Sequence, residues 1–270
     1  MAAGTTIPAV TGRTRLLGIL ADPIGHVKTP EVMNDLLRKH GVDAVLVPFH
    51  VAPERLEAVV DGLRSVTNFG GFIATVPHKT TMLPLCDRVT DAARAVGAVN
   101  CVRREADGTM VGAALDGIGF VEGLRGAGIE PRGLRAQLLG AGGAGASIAF
   151  ALAEAGVASL AVLNRSAARA EDLVGRLRDA YPSLDLLVGD RAVEAELVVN
   201  ATSLGMRPDD PLPLDAGRLH DGQVVAEAIM DPAKTLFLAA AARAGARTHP
   251  GLPMLASQIE LMARHMGALP

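Results

Sequence analysis

The sequence contains no tryptophan, one tyrosine and six phenylalanines, so aromatic side chains make up 3% of its 270 residues. Surfaces that stack nucleobases are built from such rings, and few are on offer. Lysine is nearly as scarce, at Lys28, Lys39, Lys79 and Lys234 only; the arginines are scattered and the net charge is -3. Neutralising a phosphate backbone takes clustered cations, so nucleic acid is excluded as a partner. Two cysteines, Cys86 and Cys101, cannot form a disulfide framework, and neither they nor the histidines have metal-ligand spacing. No metal is expected. No stretch reaches the roughly 20 apolar residues of a membrane span, and Met1 to Arg15 lacks the charged-then-apolar pattern of a secretory signal. The expectation is a cytoplasmic protein with a small-molecule ligand and no membrane or nucleic-acid partner; nothing fixes an oligomeric state.

What is present suits a packed core: 49% hydrophobic and 20% charged residues, ordinary for a globular chain. Strand and helix signals alternate. Strands are predicted at 15–21, 44–51 and 71–76, with helices at 29–40 and 53–65 and a third helix beginning near His78. Asp107-Gly108 between 99–103 and 110–114 is a hairpin dipeptide. After a connecting helix at 117–128 the alternation restarts: strand 136–139, helix 143–155, strand 159–163, helix 168–180, strands 197–200 and 224–228, helices 235–244 and 253–266. Strands separated by helices imply mostly parallel sheets. The predicted fold class is α/β, with two α/β domains and a cleft between them as the default ligand site.

Gly140-Ala141-Gly142-Gly143-Ala144-Gly145 has the G-x-G-x-x-G spacing. In a dinucleotide site the first glycine permits the tight turn, the second the approach of a pyrophosphate, and the third close helix packing. In a chain with 30 glycines the spacing can arise by chance. Its weight comes from the apolar strand before it and the small-residue helix after it. About 20 residues on, where an NAD enzyme places an acid for the ribose 2′-hydroxyl, stand Asn164 and Arg165, with Arg169 a turn later. Guanidinium groups clamp a 2′-phosphate that a carboxylate would repel. NADP is therefore expected over NAD.

The chain resembles the shikimate dehydrogenase family along nearly its whole length. The resemblance is carried by Asp22-Pro23-Ile24, Thr75-Val76-Pro77-His78-Lys79, Gly97-Ala98-Val99-Asn100 and Asp116-Gly117 in the first half. Then come the glycine loop, Asn164-Arg165-Ser166, Asn200-Ala201-Thr202-Ser203-Leu204-Gly205-Met206 and Gly251-Leu252-Pro253-Met254-Leu255 leading to Gln258. It implies a substrate-binding domain at 1–116 and 253–270 and a Rossmann-type NADP domain at 117–252. It implies reversible hydride transfer between NADP and a hydroxylated cyclohexene carboxylate, the shikimate/3-dehydroshikimate reaction of aromatic amino acid biosynthesis. Lys79 and Asp116 fall on the catalytic positions; Thr29, Thr75, Asn100 and Gln258 on substrate-binding ones. Gly140, Ala141, Gly142, Gly143, Ala144, Asn164, Arg165, Arg169, Ala228 and Gly251 fall on cofactor-binding ones.

That chemistry suits the residues. An alcohol that loses hydride must also lose its hydroxyl proton, and in reverse a ketone oxygen gathers charge and must be protonated; a lysine ammonium beside that oxygen can stabilise the charge and supply the proton. The helix expected near His78 would set its positive end beside Lys79. His78, next to Lys79, would point away on such a helix and is read as structural. Four positions depart from the family pattern toward apolar residues: Val27 in place of a carboxylate-binding hydroxyl, Ile73, Leu115 and Met230. Two alternatives stay open: a quinate or other ring-acid dehydrogenase, and a non-catalytic NADP-binding sensor.

Overall fold

The computed structural model describes residues 10–25 and 27–270. The secretory-signal reading, which rests largely on the first nine residues, therefore lies mostly outside the described residues. The chain divides into two compact units. One comprises Met1–Val89, Asn100–Ala113 and Ile259–Pro270, the other Thr90–Val99 and Ala114–Gln258.

The first unit is built on strands β1 (Arg15–Ala21), β2 (Ala44–His50), β3 (Phe69–Ala74), β4 (Arg88–Val89), β5 (Cys101–Arg104) and β6 (Met110–Ala113), ordered β2-β1-β3-β5-β6-β4. β1 pairs parallel with β2 and β3, whereas β5 runs antiparallel to both β3 and β6. β3 is buried at every position, the mark of a strand covered on both faces. Helix α1 (Thr29–Lys39) buries Met33 and Leu37, and α2 (Leu56–Arg64) buries Leu56 and Val60. Each pair is spaced i, i+4, one stripe of a helix facing the sheet. The 53–65 helix begins instead as a short 3₁₀ turn at Pro53–Arg55.

No α-helix starts near His78. Residues 76–82 form turns, followed by a 3₁₀ turn at Leu83–Leu85. The His78 carbonyl accepts from Met82 N–H at 3.0 Å, a single helical step. Pro84 explains the arrest: it has no N–H, and its ring would strike the Thr80 carbonyl of a continuing helix. The dipole argument for Lys79 lapses with the helix.

The second unit opens with α3 (Asp91–Val96) and α4 (Asp116–Gly126), then lays down β7 (Arg135–Leu139), α5 (Gly143–Ala155), β8 (Ser159–Leu163), α6 (Ala167–Ala180), β9 (Asp185–Val188), β10 (Leu197–Asn200), β11 (Val224–Glu227), α7 (Leu236–Arg243) and β12 (Arg247–His249). Helix α8 (Leu252–His265) begins in this unit and ends in the first. The sheet order is β12-β11-β10-β7-β8-β9, and every pair is parallel. Counted from β7, that is the 3-2-1-4-5-6 order of a Rossmann sheet, whose order reverses beside its first strand. Leu138, Val162, Val198 and Val225 on four neighbouring strands are fully buried. Among the described residues no helix is long and apolar enough to cross a membrane.

Candidate active site

In the second unit the glycine loop leaves β7 at the point where the strand order reverses. Gly140 has φ +107°, a conformation closed to residues with a side chain, and its N–H donates to the Leu163 carbonyl at 2.8 Å. A Cβ on Gly145 would lie 2.2 Å from the Gly140 oxygen, so the start of α5 packs on the loop only because Gly145 lacks one. Gly142, by contrast, has nothing within 4 Å of where a Cβ would be, and no side chain caps α5. The loop thus presents open backbone and uncapped first-turn amides, which fits a pyrophosphate. Gly143 and Ala144 supply two of those first-turn residues.

Asn164 holds the loop: its Oδ1 accepts from Ala141 N–H at 3.1 Å, while its Nδ2 donates to the Ser166 carbonyl at 2.9 Å. Arg165 and Arg169 are exposed at the head of α6, whose first turn carries no acid. Neither has a carboxylate partner among the described residues. Two cations at a helix N-terminus oppose its dipole, so they do not serve the helix. They suit an anionic ligand.

At the C-terminal ends of β11 and β12, Gly251 N–H donates to the Ile229 carbonyl at 3.1 Å, and Ala228 N–H to the Asn200 carbonyl at 3.0 Å. A Cβ on Gly251 would lie 2.3 Å from Ile229 O. Beneath them lies a polar cluster that sequence reasoning did not assign. Glu227, fully buried, accepts from Asn200 Nδ2 at 2.8 Å and from the Thr235 hydroxyl at 2.7 Å. Asn200 Oδ1 in turn receives the Thr202 N–H and hydroxyl. Burial pushes the Glu227 carboxyl above its ordinary range, against the pull of those two donors. The available signal was an acid closing the otherwise apolar run Val224-Val225-Ala226-Glu227.

Asp116 is the first residue of α4 and is 3% exposed. It is keyed to the glycine-loop helix by its neighbour: a Cβ on Gly117 would lie 2.0 Å from the Ser147 carbonyl of α5. One turn on, a Cβ on Gly119 would lie 2.6 Å from Gln258 Cβ. Asp116 and Gly119 are i, i+3 neighbours, which brings Gln258 alongside the Asp116 face. Gln258 is 2% exposed, and its Oε1 has no hydrogen-bond partner among the described residues. A buried acceptor of this kind is costly unless a donor arrives.

In the first unit, Thr75 and Lys79 follow the C-terminal end of β3 and Asn100 precedes the adjacent β5, so they fall at one end of the sheet's central strands. Thr75 follows β3 and donates its N–H to Leu20 O at 3.0 Å; Ala74 N–H donates to Asn100 O at 2.9 Å. Asn100 is 2% exposed. Thr29, buried, opens α1 on the connection that follows β1 at the same end. His78 is buried, with its ring Nε2 2.9 Å from the Val51 carbonyl. Because a carbonyl only accepts, Nε2 carries the proton. Burial outweighs that bond and nearby Asp22, holding the imidazole below its usual pKa. His78 is thus a buried structural group, and the half-buried Lys79 follows it. No group of three His, Cys, Asp or Glu that could hold a metal occurs among the described residues.

Comparison with known proteins agrees with this architecture. The family model described as "Shikimate dehydrogenase substrate binding domain" matches residues 19–102, and that described as "Shikimate / quinate 5-dehydrogenase" matches residues 129–205. A shikimate dehydrogenase (NADP+) from Rubrobacter xylanophilus is 41% identical over 94% of this chain and 90% of its own. The crystal structure of shikimate 5-dehydrogenase from Thermus thermophilus, in complex with NADP(H) and shikimate, has a TM-score of 0.85 at 32% identity, covering 95% of this chain and 94% of that one. Quinate dehydrogenase from Corynebacterium glutamicum, in complex with NAD, has a TM-score of 0.84 at 28% identity, covering 95% and 94%. With both halves matched and relatives of this identity along the chain, the protein belongs to the shikimate dehydrogenase family.

Proposed function

We propose that the chain is an NADP-dependent shikimate dehydrogenase with Lys79 and Asp116 as its catalytic pair. The observation that carries the reading is the retention, in a chain of this family, of both kinds of residue the reaction needs. Lys79, Thr75 and Asn100 lie at one end of the central strands β3 and β5, and Asp116 is keyed through Gly117 to the helix of the glycine loop. The cofactor, when bound, takes or returns the hydride. Lys79 receives the hydroxyl proton as the alcohol is oxidised and, in reverse, stabilises and protonates the oxygen. Asp116 is assigned the carboxylate's part in that pair. Thr29, Thr75, Asn100 and Gln258 orient the ring; the donor missing at Gln258 Oε1 matches a substrate hydroxyl. The open backbone at Gly142 and the unpaired Arg165 and Arg169 support NADP.

The apolar residues at Val27, Ile73, Leu115 and Met230 bear on affinity. Each hydrogen bond to a charged ligand that is given up costs about 1.5–3 kcal/mol, so shikimate is expected to be turned over with a high KM. The same positions favour, as a second reading, a ring acid of different polarity such as quinate. The test is NADP+ and NAD+ reduction with a panel of hydroxylated ring acids. Shikimate with NADP+ should give the highest kcat/KM. Quinate in the lead would move the assignment to the second reading, and no reduction with any acid would leave a cofactor-binding sensor.

A further inference from the structure

At the other end of the first sheet from Thr75 and Lys79 lies an open depression of about 310 Å³, lined by Arg13, Arg15, Arg104, Thr67, Asn68 and Glu105. Its place follows from the strands. Arg15 opens β1, Asn68 immediately precedes β3, and Arg104 closes β5, which runs antiparallel to β3. The whole of β3 separates Asn68 from Thr75, roughly 20 Å at about 3.3 Å per residue.

The charges in it do not balance. Arg104 is only 8% exposed, yet its donors go to carbonyls: Nε to Arg64 O at 2.8 Å and Nη1 to Glu105 O at 3.0 Å. Arg15 likewise spends its Nη1 and Nη2 on Gly267 O and Met266 O, both at 2.7 Å. Among the described residues, no carboxylate lies within ion-pair distance of Arg13, Arg15 or Arg104. The one acid in the lining, Glu105, is already held by Arg103 at 2.7 Å and Arg88 at 3.4 Å. Among the described residues, Arg104 Nη2 and the exposed Arg13 guanidinium have no acceptor, and Thr67 lines the same depression. A largely buried cation without a counter-ion is costly to maintain, and guanidinium forks match the oxygens of a phosphate group.

We propose that this depression binds a phosphate group, either inorganic phosphate or a small phosphate monoester, at a site separate from the one assigned to the cofactor. The cofactor phosphates are read by Gly142, Arg165 and Arg169 on the second unit; every group used here belongs to the first.

Isothermal titration calorimetry on the full-length protein, with NADP+ at saturation to occupy Arg165 and Arg169, tests it with inorganic phosphate, glycerol phosphate and acetate. One site for phosphate is expected, with little binding of acetate. Glycerol phosphate binding tighter than phosphate would make the occupant an ester; equal affinity would make it the free anion. Arg13→Gln should weaken binding at least about tenfold, and Thr67→Glu should abolish it, both with shikimate kcat/KM unchanged. Absence of phosphate binding, acetate binding equally well, or affinity unchanged in both variants would each overturn the proposal.

Discussion

The two units present their site residues by different means. In the second unit the proposed cofactor contacts are mostly backbone: an open stretch at Gly142, a turn at Gly140 with φ +107°, and a helix seated on it because Gly145 has no side chain. In the first, the proposed substrate contacts are side chains on a turn, a strand end and a helix start: Lys79, Thr75, Asn100 and Thr29. Backbone recognition tolerates little substitution at a few glycines but is indifferent to most side chains. Side-chain recognition leaves the backbone free and puts specificity wherever a single residue changes. The apolar residues Val27 and Ile73 lie in the first unit, as do the proposed substrate contacts Thr29, Thr75 and Asn100, while the glycine loop keeps the full spacing.

The difference can be sharpened by substitution. Gly145→Val has the largest expected effect on the cofactor side, because the added Cβ would meet backbone, 2.2 Å from Gly140 O, which cannot yield as a side chain can. NADP+ affinity, read by fluorescence titration, should fall by about a hundredfold or more, equivalent to the upper end of the ~1–3 kcal/mol typical of overpacking. Survival of wild-type affinity would break the claim that the loop is the cofactor seat. Arg165→Asp comes next. Trading a cation for an acid at the position proposed to meet the 2′-phosphate should shift the NADP/NAD ratio of kcat/KM toward NAD by about 10–100-fold, the worth of a charge-assisted contact. An unchanged ratio would remove the clamp.

Smaller effects belong to stability. Glu227→Gln leaves one acceptor where two donors, Asn200 Nδ2 and the Thr235 hydroxyl, now converge. It should cost about 1–3 kcal/mol in urea unfolding, with a rise in KM for NADP+ if Asn200 and Thr202 shift. The smallest is a pH effect. Burial lowers the imidazole pKa at His78, His249 and His265, outnumbering the exposed His220, which the Asp221 and Val193 carbonyls raise, so these three bind fewer protons in the folded chain than in the unfolded one. Their contribution is complete above the unfolded pKa of about 6.5 and drains away as pH falls below it. Glu227, pushed upward, has the opposite slope from about 4.5 to its raised value, so the measurement belongs in the Glu227→Gln background. The melting temperature there should drop by a few degrees between pH 7 and 5, at about 2–4 °C per kcal/mol; a flat profile would contradict the directions given.

The elements around the glycine loop were the most legible in sequence. Helix α5 at Gly143–Ala155 and strands β8 at Ser159–Leu163 and β10 at Leu197–Asn200 match their expected bounds, because glycine punctuation and long apolar runs are local signals. The hairpin around Asp107-Gly108 was equally plain. Short elements escaped. α3 spans six residues and is held by the Thr90 hydroxyl accepting from Ala93 N–H at 3.2 Å and by Gly97 at φ +69°, a cap and a stop with almost no periodicity between them. β9 carries an apolar run, Leu186-Leu187-Val188, but in a strand of four residues that are all half-exposed or exposed, and β12 buries only His249 of its three, so neither shows the alternation of a longer strand. The helix expected near His78 does not form because Pro84 leaves it only one turn to run. The Glu227 cluster was out of reach for another reason: its partners are 8 and 27 residues away in sequence, and only the fold brings them together.

The central claim is a division of labour, with the proton chemistry on Lys79 in the first unit and cofactor affinity in the second. Lys79→Ala tests it most directly, with shikimate turnover and NADP+ binding measured on the same preparation. Turnover should fall by about 10²–10⁴-fold, the usual worth of a positioned acid–base group, while the NADP+ Kd stays as in the parent protein. Turnover near the parent's would contradict the account.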